Sequence, residues 1–178
     1  AYQAMGENGQ ALADFSKVIE MGGGQADVYF NRGLVFIGFR QYDLALADYN
    51  KAIELNPKDQ EAYNNRGMIY KIQGKPELAL ADLNKAVALS PKSVKLLLNR
   101  GNILKEKGQY DLALADFNKA LLINPGHADT QYYKALVLER AGRATEAVKA
   151  YKAVVDIAPD ENHHLHEAKH KIAQQEKK

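Results

Sequence analysis

Tyr42 to Ala52 reads YDLALADYNKA, and Tyr110 to Ala120 reads YDLALADFNKA. Their starts are twice 34 residues apart, and halfway between them Pro76 to Ala86 reads PELALADLNKA. Other series keep the same step. Asn-Arg-Gly stands at 31–33, 65–67 and 99–101, and prolines stand at 57, 91, 125 and 159. Several series on one period mean an internal repeat. A unit of this length buries its apolar face only by stacking on its neighbours.

Each unit holds two helical patterns. The first runs from about Ala26 to Phe39, with Tyr29, Gly33 and Phe36 on one face. The second runs from about Asp43 to Leu55, with Ala45, Tyr49, Ala52 and Ile53 on one face. Glycines such as Gly74, Gly108 and Gly142 mark the turn between them, and Arg40 takes that place in the first full unit. Asn56-Pro57 ends the second helix, because the residue before proline disfavours helical backbone. Two helices approach closely only where one lacks bulk. Gly33, Gly67, Gly101 and Ala135 form one series of small residues; Ala11, Ala45, Ala79, Ala113 and Ala147 form another. Tyr49, Leu83, Phe117 and Tyr151 are placed to fill the space beside that contact.

A 34-residue helix-turn-helix unit with this order of small, aromatic and proline places resembles the tetratricopeptide repeat over essentially the whole chain. The units read as a partial one at 1–25 and full ones at 26–59, 60–93, 94–127 and 128–161. Residues 162–178 then carry Leu165, Ala168 and Ile172 at helical spacing before turning polar, as a helix capping the last apolar face does. The resemblance implies an all-α, right-handed superhelical solenoid of antiparallel helix pairs.

Composition narrows the function. Hydrophobic residues make up 46% and charged ones 26%, as in ordinary globular proteins, and the net charge of +2 argues against a nucleic-acid surface. With no cysteine there is no disulfide, thiolate metal site or cysteine nucleophile. No apolar run reaches the roughly 20 residues of a membrane span. The sequence starts inside a repeat, so any targeting segment is expected upstream of it, and the compartment stays open between cytoplasm and periplasm. No phosphate loop, metal motif or nucleophile triad appears, so neither enzymatic activity nor a cofactor is expected. His163, His166 and His170 share a helix face at i, i+3 and i+7, with His164 beside them. A solvated terminal helix accounts for them better than a metal site, which needs a fourth ligand and a supporting shell.

The resemblance implies that the first helix of each pair lines a concave groove. Mapped onto this chain, the groove takes Asp27, Phe30, Asn31, Leu34 and Ile37 from the first full unit. The second gives Glu61, Asn64, Asn65, Met68, Lys71 and Ile72, and the third Lys95, Leu98, Asn99, Asn102, Lys105 and Glu106. The fourth gives Asp129, Tyr132, Tyr133, Leu136, Glu139 and Arg140. Asn31, Asn65 and Asn99 recur at one place, similar to the asparagine ladder of the O-linked N-acetylglucosamine transferase repeat domain. An amide both donates and accepts, so it suits either an extended peptide backbone or a bond inside the array. The carboxylate clamp of chaperone-binding relatives is not matched, because Phe30 and Leu34 stand where it needs Lys and Asn, and Asn99 where it needs Arg. In the other register Asn64, Met68, Asp129 and Tyr133 break it.

The expected function is a scaffold that binds a peptide or helical segment of a partner protein in this groove. The alternative is a module that builds homo-oligomers from stacked arrays. One further pattern concerns structure. Arg32, Arg66 and Arg100 accompany Asp48, Asp82 and Asp116, and both types are lost together in the last unit, at Lys134 and Ala150. The joint loss predicts Arg–Asp pairs bridging the two helices of a unit, or else neighbouring units.

Overall fold

The structure is a computed structural model describing residues 2–158 and 162–175. Ten helices and no strand form among the described residues. They are α1 (Tyr2–Glu20), α2 (Ala26–Gly38), α3 (Tyr42–Leu55), α4 (Gln60–Ile72), α5 (Pro76–Leu89), α6 (Val94–Glu106), α7 (Tyr110–Ile123), α8 (Ala128–Arg140), α9 (Ala144–Ile157) and α10 (His163–Gln175). The fold is an all-α helical repeat. Contacts divide it into two compact units, Ala1–Leu89 with α1–α5 and Ser90–Lys178 with α6–α10. The boundary falls just after the second helix of the 60–93 repeat. Pro159 and the last three residues of the capping segment lie outside the described residues.

Local chemistry sets the helix ends. Asp59 Oδ1 accepts the backbone N–H groups of Glu61 and Ala62, which caps α4. Ser93 and His127 cap α6 and α8 in the same way, through Leu96 and Thr130. Before each cap, a turn with proline second places the N–H of Asp59 on the carbonyl of Asn56, and that of His127 on the carbonyl of Asn124. After each first helix the chain closes with one left-handed residue: Gly74, Gly108 or Gly142 at φ 68°, 72° and 75°, and Arg40 at φ 57°. At this last site Gln41 N–H still reaches the carbonyl of Phe36, so Arg40 carries out the glycine's turn with a Cβ in place.

The paired helices meet at the small residues. A Cβ added to Gly33 would lie 3.1 Å from the Tyr49 ring, and one added to Gly101 only 2.5 Å from the Phe117 ring. At Gly67 it would meet the Ala79 carbonyl and the Asp82 Cβ, both at 3.2 Å. Tyr49, Leu83, Phe117 and Tyr151 are fully buried against these places. In the first unit the core continues through Phe36, Ala45, Ala52, Ala62 and Ile69.

Two expectations follow. Gly101→Ala should destabilise by about 1–3 kcal/mol despite alanine's better helix propensity, because the fully buried Phe117 ring would have to shift. The same exchange at Gly9, where nothing lies within 4 Å, should be neutral or stabilising in parallel urea titrations. Arg40→Gly should raise stability by up to about 1 kcal/mol, since it removes left-handed strain at the cost of a looser unfolded chain.

Candidate functional site

In the first unit the candidate surface lies on α2 and α4. Asn31, Leu34 and Ile72 are exposed, Leu34 at 42% and Ile72 at 58%. Asn65, Met68 and Lys71 are half-buried beside them. Three of the predicted groove residues are drawn partly or wholly into the interior. Phe30 and Ile37 pack against the core cluster, and the Phe30 ring meets Tyr49 edge-on at 5.7 Å. Asn64 is 2% exposed and donates to Asn65 Oδ1 at 3.2 Å. Helical spacing places Asn64 on the rim of the face, and packing decides which side of the rim it takes. Asn65 in turn donates to the Tyr49 hydroxyl at 3.5 Å, a long bond. Burial pushes that phenol's pKa up, and the Asn65 bond opposes the shift.

In the second unit the candidate surface lies on α6 and α8. Lys95 is exposed, whereas Asn99, Asn102, Lys105 and Tyr133 are half-buried. Lys105 is engaged: its ammonium sits 4.5 Å from the centre of the Tyr133 ring and donates to Asn102 Oδ1 at 2.9 Å. Tyr132 is a correction, since it is 3% exposed. The helix α10 covers it. Asn162 caps α10 by accepting from the His164 N–H, and the His164 ring then stacks on Tyr132 at 3.9 Å. Burial, and then a hydrogen bond to Glu167, raise the Tyr132 pKa. The same helix brings Lys171 to Glu139 at 3.0 Å, where Tyr151 also donates to Glu139 Oε2 at 2.8 Å.

The histidines do not converge. His163, His166 and His170 are exposed, and among the described residues no group of three or more His, Asp or Glu is placed to hold a metal ion. His164 is the one that turns inward. Its Nε2 lies 3.8 Å from Asp129 Oδ1, and its buried Nδ1 has no hydrogen-bond partner among the described residues. Burial and the neighbouring His163 lower its pKa, against the opposing Asp129 and Glu167. Helical period alone does not distinguish one histidine from its neighbours; the side chain awaiting it on α8 does.

The Arg–Asp series resolves into three pairs of one geometry, each within a repeat. Arg32 Nε and Nη2 donate to Asp48 at 2.8 and 2.7 Å, Arg66 to Asp82 at 2.8 and 2.7 Å, and Arg100 to Asp116 at 2.8 and 2.6 Å. The aspartates are buried, and the guanidinium groups of Arg32 and Arg66 lie over the rings of Tyr29 and Tyr63. Hydrogen bonding to the carboxylate raises the pKa of Arg32 and Arg66. Arg66 also donates to Asn50 on α3 at 2.7 Å, and Arg32 to Ser16 on α1 at 3.3 Å. Arg32 and Arg66 therefore each tie their own repeat together and join it to the preceding one.

Models of the tetratricopeptide repeat match residues 26–59, 48–81 and 98–162, so the chain carries tetratricopeptide repeats. Among solved structures it is similar to YrrB, described as a TPR protein with an unusual peptide-binding site. The identity is 27%, over 94% of this chain and 84% of that one, with a TM-score of 0.80. It shares its fold with the MamA protein (21% identity, 97% and 88% covered, TM-score 0.79). A MamA structure from Desulfovibrio magneticus RS-1 does likewise (20% identity, 85% and 89% covered, TM-score 0.73). No curated protein matches the sequence. Among the described residues no helix is long and apolar enough to cross a membrane.

Arg66→Ala should cost about 3 kcal/mol in urea unfolding, because it strands the Asp82 carboxylate at 6% exposure. Arg66→Lys should lie between, since a point charge replaces a two-pronged donor.

Proposed function

We propose that this chain, as a carrier of tetratricopeptide repeats, is a non-catalytic scaffold that holds a segment of a partner protein against the first helices of its repeats. One observation carries the reading: Leu34 and Ile72 remain exposed on α2 and α4, where the repeat has no internal use for them. At the position of Ile72, the preceding repeat has Gly38 and the following one Glu106. Apolar side chains left in water beside polar groups are a common mark of an interaction surface. The exposed amide of Asn31 adds a donor and an acceptor for the backbone of an extended segment, and half-buried Met68 adapts to varied shapes. The peptide-binding character of YrrB supports the same reading. In the second unit, Lys95 favours an acidic residue and Tyr133 offers an aromatic edge.

Leu44 and Leu78, on α3 and α5, are exposed too. Beside Leu44 the Gln73 amide is already committed to Asp43 at 3.0 Å, so that surface has less polar capacity to orient a peptide. The two faces can be told apart. Twelve-residue peptides selected on the immobilised protein should bind at least tenfold more weakly to the variant with Leu34→Asp and Ile72→Asp, a loss of about 1.4 kcal/mol or more. Helical circular dichroism and the melting temperature should stay near wild type. The control pair Leu44→Asp and Leu78→Asp should leave affinity intact. Equal loss from both pairs, or from the control pair alone, would move the binding surface off the first helices.

A further inference from the structure

The repeat of α8 and α9 departs from the others at the place of the Arg–Asp pair. Lys134 follows Arg32, Arg66 and Arg100 in the series, and Ala150 follows Asp48, Asp82 and Asp116. Losing a carboxylate between two helices removes volume as well as charge. At this place lies a cavity of about 320 Å³, walled by Gln131, Lys134 and Leu138 of α8 and by Glu146, Lys149 and Ala150 of α9. Gln131 Nε2 donates to the Ala150 carbonyl at 3.4 Å, which holds one wall in place.

The charges around this cavity are unbalanced. Lys134 is half-buried, and no hydrogen bond or ion pair to it occurs among the described residues. The only carboxylate in the wall, Glu146, is held by Arg143 through two hydrogen bonds of 2.7 Å. Lys134 and Lys149 thus share one wall carboxylate, which Arg143, itself also under the influence of Asp111, already holds. Burial lowers the Lys134 pKa; Glu146 opposes that, and the positive Arg143 and Lys149 reinforce it. A cation partly removed from water, whose one wall carboxylate is hydrogen-bonded to another cation, gains from a further anion that reaches it.

We propose that this cavity is a carboxylate-binding site, in which an acidic group supplied from outside enters beside Ala150 and pairs with Lys134. The incoming group takes the role that Asp48, Asp82 and Asp116 fill within their own repeats. Ammonium is a point donor, not a fork, so the site accepts a carboxylate in more than one orientation. The Leu138 side chain gives the methylene groups of an aspartyl, glutamyl or short dicarboxylate carbon chain an apolar wall. None of the cavity residues belongs to the surface proposed for partner binding, so the two sites are independent.

The test is the Lys134 side-chain NMR signal, followed in lysine-labelled protein at constant ionic strength. Acetate, glutarate, the peptide acetyl-Gly-Glu-Gly-amide and chloride are titrated separately, with exposed Lys119 of α7 as the reference. Carboxylates should shift the Lys134 signal saturably, in the millimolar range, and raise its pKa; chloride should not. Ala150→Asp should raise that pKa without ligand and abolish the response, because it builds the carboxylate in. Ala150→Asn should abolish the response without raising the pKa, by filling the space with a neutral group. A peptide response stronger than that to glutarate assigns the site to an acidic segment; the reverse assigns it to small carboxylates. Lys134 tracking Lys119 in every titration would overturn the proposal, as would chloride acting as strongly as acetate.

Discussion

The structure depends on one close approach, repeated every 34 residues: a residue without bulk on the first helix of a pair against a large buried side chain 16 positions later on the second. Gly33 faces Tyr49, Gly67 faces Leu83 and Gly101 faces Phe117. The register of the helix pair follows from this contact, because interiors pack without slack and a ring cannot slide past a backbone it already touches. The Arg–Asp pairs keep the same 16-residue step, one position earlier on both helices. The apolar contact brings the helices together, and the forked hydrogen bonds accept only one sliding position. Neither alone is as selective as both, since burial lacks direction and an ion pair at partial exposure contributes little unless its geometry is held.

That coupling explains why so much was legible in the sequence. Helix bounds, turns and caps are local, and each is written in a residue type with a mechanism: proline second in the turn, Asp59 or Ser93 at the cap, glycine at the left-handed close. Joint loss of Arg and Asp in the last repeat marks the two as partners, and the three remaining pairs are bonded. The candidate surface was less legible. Spacing says which residues share a helix face, but not where the face leaves the core. Phe30, Ile37 and Asn64 all lie at that edge; packing against Tyr49 and its neighbours draws the first two partly inward, and Asn64 is buried with its amide on Asn65. Tyr132 was out of reach for a different reason, since the residue that covers it, His164, lies in a separate helix outside the repeat pattern.

The second unit shows how a terminal repeat exchanges one set of ties for another. Glu139 gathers Tyr151 from α9 and Lys171 from α10 into one cluster. Tyr132 and Tyr133 give the His164 ring a face and an edge to rest on. These contacts satisfy the apolar end of the stack, which a repeat array must cover to stay soluble. They also use up much of the α8 face, so the last repeat has less free first-helix surface than α2 or α4.

The missing Arg–Asp pair does not follow from that terminal position. In Arg32 and Arg66 the second tie points backward, from Arg66 to Asn50 and from Arg32 to Ser16. The preceding second helix, α7, is present for α8 as well, and Asn118 occupies the place of Asn50 there. An arginine at 134 and an aspartate at 150 would therefore have had the same hydrogen-bonding side chains in reach as Arg66 and Asp82, though Gln131 and Leu138 stand where Tyr63 and Tyr70 flank Arg66. Capping acts on a different side of α8, through Tyr132, Tyr133 and Glu139, and places no demand on Lys134. What distinguishes this repeat is a change at the pair itself, a shorter second-helix residue that opens space and a cation that remains to face it.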